Sequence, residues 1–295
     1  MGRDGAGDGR AAARGSRPGR RGRLVGGRVK LCLIYRQDAT ATDAASSYVT
    51  RLVPALAEDH RTAVVAIGPG LTEIARAALA LRKRVEREPP DILHVNGVSG
   101  IALAAVLWAA DQRIPVAMSL HNQALLGRFA SVHRRLTSSV GLVISPSHYL
   151  LDQHLQRGFF RDAIQQILPY GIEPVARLRS TDHVVIRSAA AESDFLAIVE
   201  AFQSGAVVIL TRSAGASEVV RDGVNGLLVE PGDEAGIAAA VERLRQSPEL
   251  AARLRAAALE TARFYDMRFH TTHLTAAYRQ LLNASRAGGL DRRAA

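Results

Sequence analysis

The sequence predicts an α/β protein of two units, each a small parallel sheet with covering helices. Short apolar runs alternate with amphipathic stretches from residue 29 to residue 172, and the same alternation returns on a smaller scale after residue 183. Strands that alternate with helices pair in parallel through right-handed crossovers. The length of 295 residues suits about two domains of roughly 150 residues each.

In the first unit, runs of β-branched and aliphatic residues predict the strands, and apolar residues spaced three or four apart predict the helices. Pro54 falls inside one helical pattern, so we expect a kink or a shorter helix there, and Gly158 is expected to end another. The predicted elements are strands at 29–35, 62–67, 91–95, 115–120, 142–145 and 164–168, and helices at 44–57, 71–87, 101–110 and 149–156.

The second unit repeats the pattern with fewer strands. Asn225 and Gly226 tolerate a positive φ, so they are expected to form the turn that precedes the last strand. The predicted strands are 184–186, 207–210 and 227–229, and the predicted helices are 194–203, 233–246, 248–262 and 270–282. The chain is thus divided into a disordered Arg/Gly-rich tail at 1–28, a first domain at 29–173, a partial second domain at 183–283 and a tail at 284–295.

Composition narrows the classes of function. The net charge is +10, but much of the excess lies in the arginines of the first 28 residues, a segment too poor in apolar side chains to fold alone. Aromatic residues make up 5% of the chain, which disfavours nucleic acid as a partner. The single cysteine, Cys32, excludes an internal disulfide and is expected to be buried. With no long apolar run or secretory signal, a cytoplasmic protein is the expectation.

Residues 192–233 carry an ordered set of short motifs. The segment reads ESDFLAIVEAFQSGAVVILTRSAGASEVVRDGVNGLLVEPGD, in which seven residues separate Glu192 from Glu200. Glu-Val-Val, Asp-Gly, Asn-Gly and Pro-Gly-Asp follow in that order. This set resembles the donor-binding lobe of the retaining glycosyltransferases of family four, also called group 1. Further back, Ser119-Leu120-His121-Asn122 resembles the strand that ends in that family's active-site histidine.

The resemblance implies a GT-B fold of two Rossmann-like lobes and assigns roles to particular residues. It implies that His121 contacts the donor sugar or phosphate, that Glu192 lies near the breaking bond, and that Glu200 binds ribose hydroxyls. Both His121 and Glu192 follow a predicted strand, where open α/β sheets bind their ligands. The other donor-binding candidates are Phe195, Leu196, Arg212 and Gly215.

The resemblance also implies the partners of the site. They are a nucleotide-diphosphate sugar as donor and a saccharide or lipid-linked acceptor, with peripheral contact to the acidic inner surface of a membrane. The family's reaction uses neither a metal ion nor another cofactor, because positive charge and helix dipoles stabilise the leaving diphosphate. The resemblance further implies transfer of a hexose with retention of configuration.

Two departures from the family pattern leave alternatives open. Residues 41–47 contain no glycine where the family has a Gly-Gly turn that approaches phosphate. Between Ile172 and Val184 the family has the first half of its donor lobe, which is missing here. With about 30 residues for each βαβ step, the missing segment amounts to roughly 100 residues. The chain is accordingly an active glycosyltransferase, a non-enzymatic remnant that binds donor weakly, or a basic protein that binds through its tail.

Overall fold

Two parallel sheets organise the chain, which we describe from a computed structural model. The structure describes residues 28–36, 44–68, 76, 79, 81–83, 86–97, 100–173, 184–187, 194–213 and 216–291. The predicted tail at 1–28 and most of the predicted helix at 71–87 therefore lie outside the described residues. Among the helices that are described, none combines the length and apolarity needed to cross a bilayer.

The first sheet has its strands in the order β2-β1-β3-β4-β5-β6, and all the neighbouring pairs are parallel. The order reverses at β1, because β2 lies on one side of it and β3 on the other. Sheets of this type bind ligands beyond the carboxyl ends of the strands at such a switch point. The strands are β1 Lys30–Arg36, β2 Arg61–Ile67, β3 Ile92–Asn96, β4 Val116–Ser119, β5 Leu142–Ser145 and β6 Ile164–Ile167.

The second sheet is smaller and has the order β7-β8-β9, again with parallel pairs. Both faces of this sheet are covered, since one apolar cluster joins it to the helices at 194–204 and 248–262 and another joins it to the helix at 234–246. The predicted architecture of two parallel sheets is confirmed. The strands are β7 Val184–Arg187, β8 Val207–Thr211 and β9 Leu227–Val229.

The α-helices cover these sheets and are numbered in chain order. Those of the first unit are α1 Ala44–Asp59, α2 Gly100–Asp111, α3 Ala130–Leu136 and α4 His148–Gln156. The later ones are α5 Asp194–Ser204, α6 Ala216–Val219, α7 Glu234–Gln246, α8 Pro248–Ala262 and α9 Met267–Asp291. Helices α2 and α4 pack on one face of the first sheet, and α1 packs on the other.

Helix α9 returns from the second unit to complete the core of the first. A parallel bridge between Ile172 and Asp266 holds the crossing point. Beyond it, Leu274, Tyr278 and Leu281 join the apolar cluster on the α1 face of the first sheet. The helix extends beyond the predicted range 270–282 at both ends: Met267 at its start joins the same cluster, whereas residues 283–287 are exposed.

Gly171 lies where the crossing helix comes closest to the backbone of the first unit. A Cβ atom at this position would lie 2.6 Å from the Cβ of His270 and 2.9 Å from the Sδ of Met267. We expect Gly171→Ala to lower the free energy of unfolding by about 1–3 kcal/mol, since α9 must shift to make room. Urea unfolding measures this change. Gly127→Ala is the matched control, because its nearest neighbour would be 3.7 Å away, and equal stability of both variants would contradict the prediction.

Tertiary packing overrides local sequence preferences at two positions. Helix α1 runs through Pro54 to Asp59, so the alternative of a shorter helix was wrong. The proline is exposed there, while Leu52 and Leu56 on either side of it are buried. His154, a polar residue within helix α4, is fully buried. Its ring packs on the rings of Phe159 and Phe160, and its Nδ1 lies 2.8 Å from the carbonyl of Leu150.

Candidate functional site

Polar side chains collect at the carboxyl ends of β3 and β4, beside the switch point of the first sheet. Asn96 ends β3 and pairs in register with Ser119, which ends β4, and His121 follows two residues later. All three are buried. The apolar residues that precede them form the strands, so the first polar residue after each strand is delivered to this edge.

His121 is held in a defined orientation. Its Nδ1 lies 2.9 Å from the hydroxyl of Tyr170, and the two rings are stacked with their centroids 5.5 Å apart. The ring of Tyr48 packs against the imidazole at 5.3 Å. Burial lowers the pKa of His121 to about 3, so the imidazole is neutral at physiological pH. A neutral imidazole exchanges hydrogen bonds with a ligand and brings no charge to a phosphate.

Two buried polar groups at this edge have no hydrogen-bond partner within the part of the chain that the structure describes. They are the Nε2 of His121 and both amide atoms of Asn96. Buried polar atoms are nearly always paired, and leaving one unpaired costs about 1–3 kcal/mol. The carboxyl edge of the first sheet thus presents both donor and acceptor atoms that a polyhydroxyl ligand is able to satisfy.

A chain of buried hydrogen bonds runs beneath this edge, and one carbonyl fixes its direction. The Nδ1 of His270 lies 2.7 Å from the carbonyl oxygen of Pro169 and must donate, because a carbonyl only accepts. Burial lowers the pKa of His270 to about 4, so this ring is neutral and its Nε2 is an acceptor. The hydroxyl of Tyr48, 2.7 Å from that Nε2, is therefore the donor.

The hydrogen bonds continue to helix α9 through His94. Its Nε2 lies 2.8 Å from the Ser119 hydroxyl and its Nδ1 lies 2.6 Å from the Tyr278 hydroxyl. Burial lowers the pKa of His94 to about 3, so the ring is neutral, and one of its nitrogens donates while the other accepts. His94 thus joins α9 to β3 and β4, while His270 joins α9 to α1.

Glu200 of helix α5 lies where the two units meet. Its Oε1 is 3.1 Å from the Nη1 of Arg51 in α1, and the two side chains are 38% and 37% exposed. The Glu200 carboxylate is therefore partly buried and ion-paired. Arg51 was not among the residues selected from sequence, since an arginine in an amphipathic helix resembles any other surface residue.

The remaining predicted donor residues are placed in part. Helix α5 begins at Asp194, so the main chain of Phe195 and Leu196 forms its first turn. The structure does not describe the side chains of these two residues. Glu192 and Gly215 also lie outside the described residues. Arg212 is described, and it bonds to Glu230 at 2.8 Å and to Asp222 at 3.3 Å.

Glu218 forms a second contact between the units that sequence reasoning missed. Its carboxylate accepts hydrogen bonds from the main-chain N–H groups of His148 at 2.8 Å and Tyr149 at 2.6 Å. These groups open helix α4, whose next N–H, that of Leu150, is capped by Ser147. A carboxylate at a helix N-terminus is favoured by the helix dipole. Nothing near Glu218 in sequence indicates this partner, which lies 70 positions away.

Comparison with known proteins gives consistent matches along the chain. The family described as Glycosyltransferase Family 4 matches residues 45–174, and the family described as Glycosyl transferases group 1 matches residues 165–261. The lipopolysaccharide core biosynthesis glycosyltransferase LpsD of Rhizobium meliloti is 38% identical over 84 residues, which is 28% of this chain. That match covers only 24% of the length of LpsD.

Solved structures are similar over most of the chain. The Anabaena protein HepE, crystallised in complex with UDP-glucose, superposes with a TM-score of 0.59 at 14% identity, covering 87% of this chain and 99% of that one. Sucrose-phosphate synthase from Thermosynechococcus elongatus gives a TM-score of 0.65 at 13% identity, covering 86% and 100%. Such identities establish the fold alone. Taken with the sequence matches and the two parallel sheets, they place this chain in the group 1 glycosyltransferase family, with the GT-B fold.

Proposed function

We propose that the chain transfers a hexose from a nucleotide-diphosphate sugar to a saccharide or lipid-linked acceptor, with retention of configuration. The observation that carries this proposal is the polar edge at the carboxyl ends of β3 and β4. There, the Nε2 of His121 and the amide of Asn96 are buried without partners among the described residues. Sugar hydroxyls both donate and accept, so a hexose satisfies these atoms in a way that an apolar ligand does not.

Each described residue has a physical role in this proposal. Neutral His121 bonds to a hydroxyl of the sugar and leaves the negative charge of the diphosphate to other groups. Glu200 accepts from two ribose hydroxyls, since a carboxylate accepts several hydrogen bonds and donates none. The first turn of α5, with the main-chain N–H groups of Phe195 and Leu196, attracts the diphosphate as helix N-termini do. Glu192, by resemblance, lies near the breaking bond.

A second candidate function is a non-catalytic remnant of such an enzyme that binds donor weakly. The ion pairs favour it, because Glu200 is engaged by Arg51 and Arg212 is engaged by two carboxylates. In that case the predicted loss of the first half of the donor lobe has removed the cations that hold a diphosphate. The two candidates differ in whether the Arg51–Glu200 pair opens for a ligand.

Calorimetric titration with UDP-glucose and with GDP-mannose separates the two candidates. For the active enzyme, we expect saturable binding of one donor, and we expect Glu200→Gln to weaken it about 10- to 100-fold, since a hydrogen bond to a charged group contributes about 1.5–3 kcal/mol. Glu242→Gln is the matched control, because Glu242 is also a helical glutamate paired with an arginine. Arg51→Gln removes the ion pair while keeping the carboxylate, and should retain affinity.

Two results would count against the active enzyme. The absence of saturable binding of either nucleotide sugar by the parent chain would favour the remnant. Equal affinities of the parent and Glu200→Gln would remove the ribose role of Glu200, whatever the activity of the chain.

A further inference from the structure

Tyr170 is the hydrogen-bond partner of His121 at the candidate site. It lies three residues beyond β6, whereas His121 lies two residues beyond β4, and each side chain is 4% exposed. The Tyr170 hydroxyl is 2.9 Å from the Nδ1 of His121, and the two rings are within 5° of parallel. What this hydroxyl does with its proton therefore decides which nitrogen of the imidazole is left to donate.

The hydroxyl of Tyr170 is the better donor of the two groups. Burial lowers the pKa of His121 to about 3, so the ring is neutral, and one of its nitrogens donates while the other accepts. A phenol hydroxyl is a stronger acid than the N–H of a neutral imidazole, and an imidazole nitrogen is a stronger base than a phenol oxygen. Donation from the hydroxyl to Nδ1 is therefore favoured over the reverse direction.

Ring packing holds the imidazole of His121 in the orientation that this hydrogen bond needs. Its centroid is 5.5 Å from that of Tyr170, and the ring of Tyr48 packs against both, at 5.3 Å from His121 and 5.2 Å from Tyr170. A half-turn of the imidazole about its bond to Cβ would place the Cδ2 carbon opposite the Tyr170 hydroxyl and break the hydrogen bond. The hydroxyl thus favours one ring orientation as well as one tautomer.

We infer that Tyr170 is a positioning residue that makes the Nε2 of His121 a hydrogen-bond donor to the ligand. When Nδ1 accepts from Tyr170, the proton of the neutral ring is on Nε2. This nitrogen is buried and has no partner among the residues that the structure describes, so it donates to a lone pair of a ligand oxygen. The inference rests on the proposed function for the identity of that oxygen, which belongs to the transferred hexose.

A donor at this position restricts the ligand atom that it meets. A sugar hydroxyl accepts as well as donates, whereas the ammonium group of an amino sugar only donates. The Nε2–H of His121 accordingly favours a hydroxyl over an amino group on the carbon that it contacts. The proton of that hydroxyl then needs an acceptor, and the Oδ1 of Asn96 is a buried acceptor at the same edge with no partner within the described ranges.

Long-range 1H–15N NMR of the 15N-labelled full chain, without any ligand, shows which nitrogen carries the proton. The resonances of His121 are assigned by their absence from the spectrum of His121→Gln. At neutral pH we expect a protonated Nε2 and an Nδ1 that accepts a hydrogen bond, and we expect Tyr170→Phe to move the Nδ1 resonance to that of an unbonded nitrogen. A protonated Nδ1 in the parent chain, or equal Nδ1 shifts in the two chains, would overturn the inference.

Calorimetric titration measures the effect of the Tyr170 hydroxyl on binding. Tyr170→Phe should weaken binding of the nucleotide sugar that the parent chain prefers by about 3- to 10-fold, the effect of one hydrogen bond between neutral groups. The affinity for the nucleoside diphosphate alone should not change, since it lacks the sugar. Tyr265→Phe is the matched control, because Tyr265 is also a buried tyrosine but packs in the second unit, and it should bind both ligands as the parent chain does.

The two measurements separate the failure of this inference from that of the proposed function. Equal weakening of nucleotide sugar and nucleoside diphosphate by Tyr170→Phe would show that the hydroxyl is only structural and would refute its positioning role. If the parent chain binds no nucleotide sugar, the proposed function fails, and the NMR spectrum alone decides whether Tyr170 sets the tautomer of His121.

Discussion

At about pH 5, the free energy of unfolding should be lower than at about pH 8 by at least about 6 kcal/mol, because buried His94, His121 and His270 are neutral in the folded chain. Burial lowers the pKa of His60 and His154 as well, which adds to the loss. Burial lowers the pKa of His94 and His121 to about 3 and that of His270 to about 4, from an ordinary value of 6.5. Below about pH 6.5 these histidines bind protons in the unfolded chain but not in the folded chain. Each histidine then costs about 2 kcal/mol at pH 5. The contribution of these neutral histidines to stability is fully present above about pH 6.5 and is lost as the pH falls towards their folded-state pKa values.

A loss of this size is comparable to the whole stability of many domains, which is about 5–15 kcal/mol. Urea unfolding followed by circular dichroism from pH 8 to pH 5 measures it. His270→Gln should be less stable at pH 8 but should lose about 2 kcal/mol less than the parent chain between pH 8 and pH 5. His148→Gln, at an exposed position, controls for the loss of a histidine as such. A stability that stays level down to pH 5 would show that the buried rings accept protons.

The second large effect is expected at Tyr278, the largest of the fully buried side chains. Tyr278→Ala should lower the free energy of unfolding by about 3–5 kcal/mol, the usual cost of removing a buried aromatic ring. The ring packs between α9 and the first sheet, and its hydroxyl forms a hydrogen bond with the Nδ1 of His94. Tyr278→Phe keeps the ring and should cost about 1–3 kcal/mol, which isolates the hydrogen bond.

Phe129→Ala is the control for losing an aromatic ring at an exposed site, and its stability should change by less than about 0.5 kcal/mol. Unfolding midpoints of the three variants in urea give the comparison. Should Tyr278→Ala unfold at the same midpoint as Phe129→Ala, α9 would not be part of the core of the first unit.

Local sequence patterns were sufficient to predict the strands of this fold. The strand Leu142–Ser145 is fully buried and apolar except for Ser145, and both of its ends were predicted correctly. The same patterns failed where partners come from far along the chain. Pro54 is accommodated because α1 is held by the sheet and by α9 beneath it, and His154 is buried by two phenylalanines that follow its helix. Propensity is overridden in both cases by tertiary contacts.

The candidate site was predictable to a similar degree. His121 was found because it follows a buried strand, and Asn96 has the same placement at the end of β3, so the same signal was available for it. Arg51, Glu218 and Tyr170 carry no such signal. Their roles arise from the approach of two units, or from a stacked ring 49 positions away from His121, and neither is encoded in local spacing. The roles of Glu192 and Gly215 stay predictions.

The return of α9 to the first unit has a consequence for how the protein is made. Tyr278 follows its partner His94 by 184 positions, and the apolar side chains of α9 close the same face. During synthesis the six strands of the first sheet leave the ribosome long before the helix that covers them. That face is therefore open to chaperones, and to other nascent chains, until α9 has been synthesised.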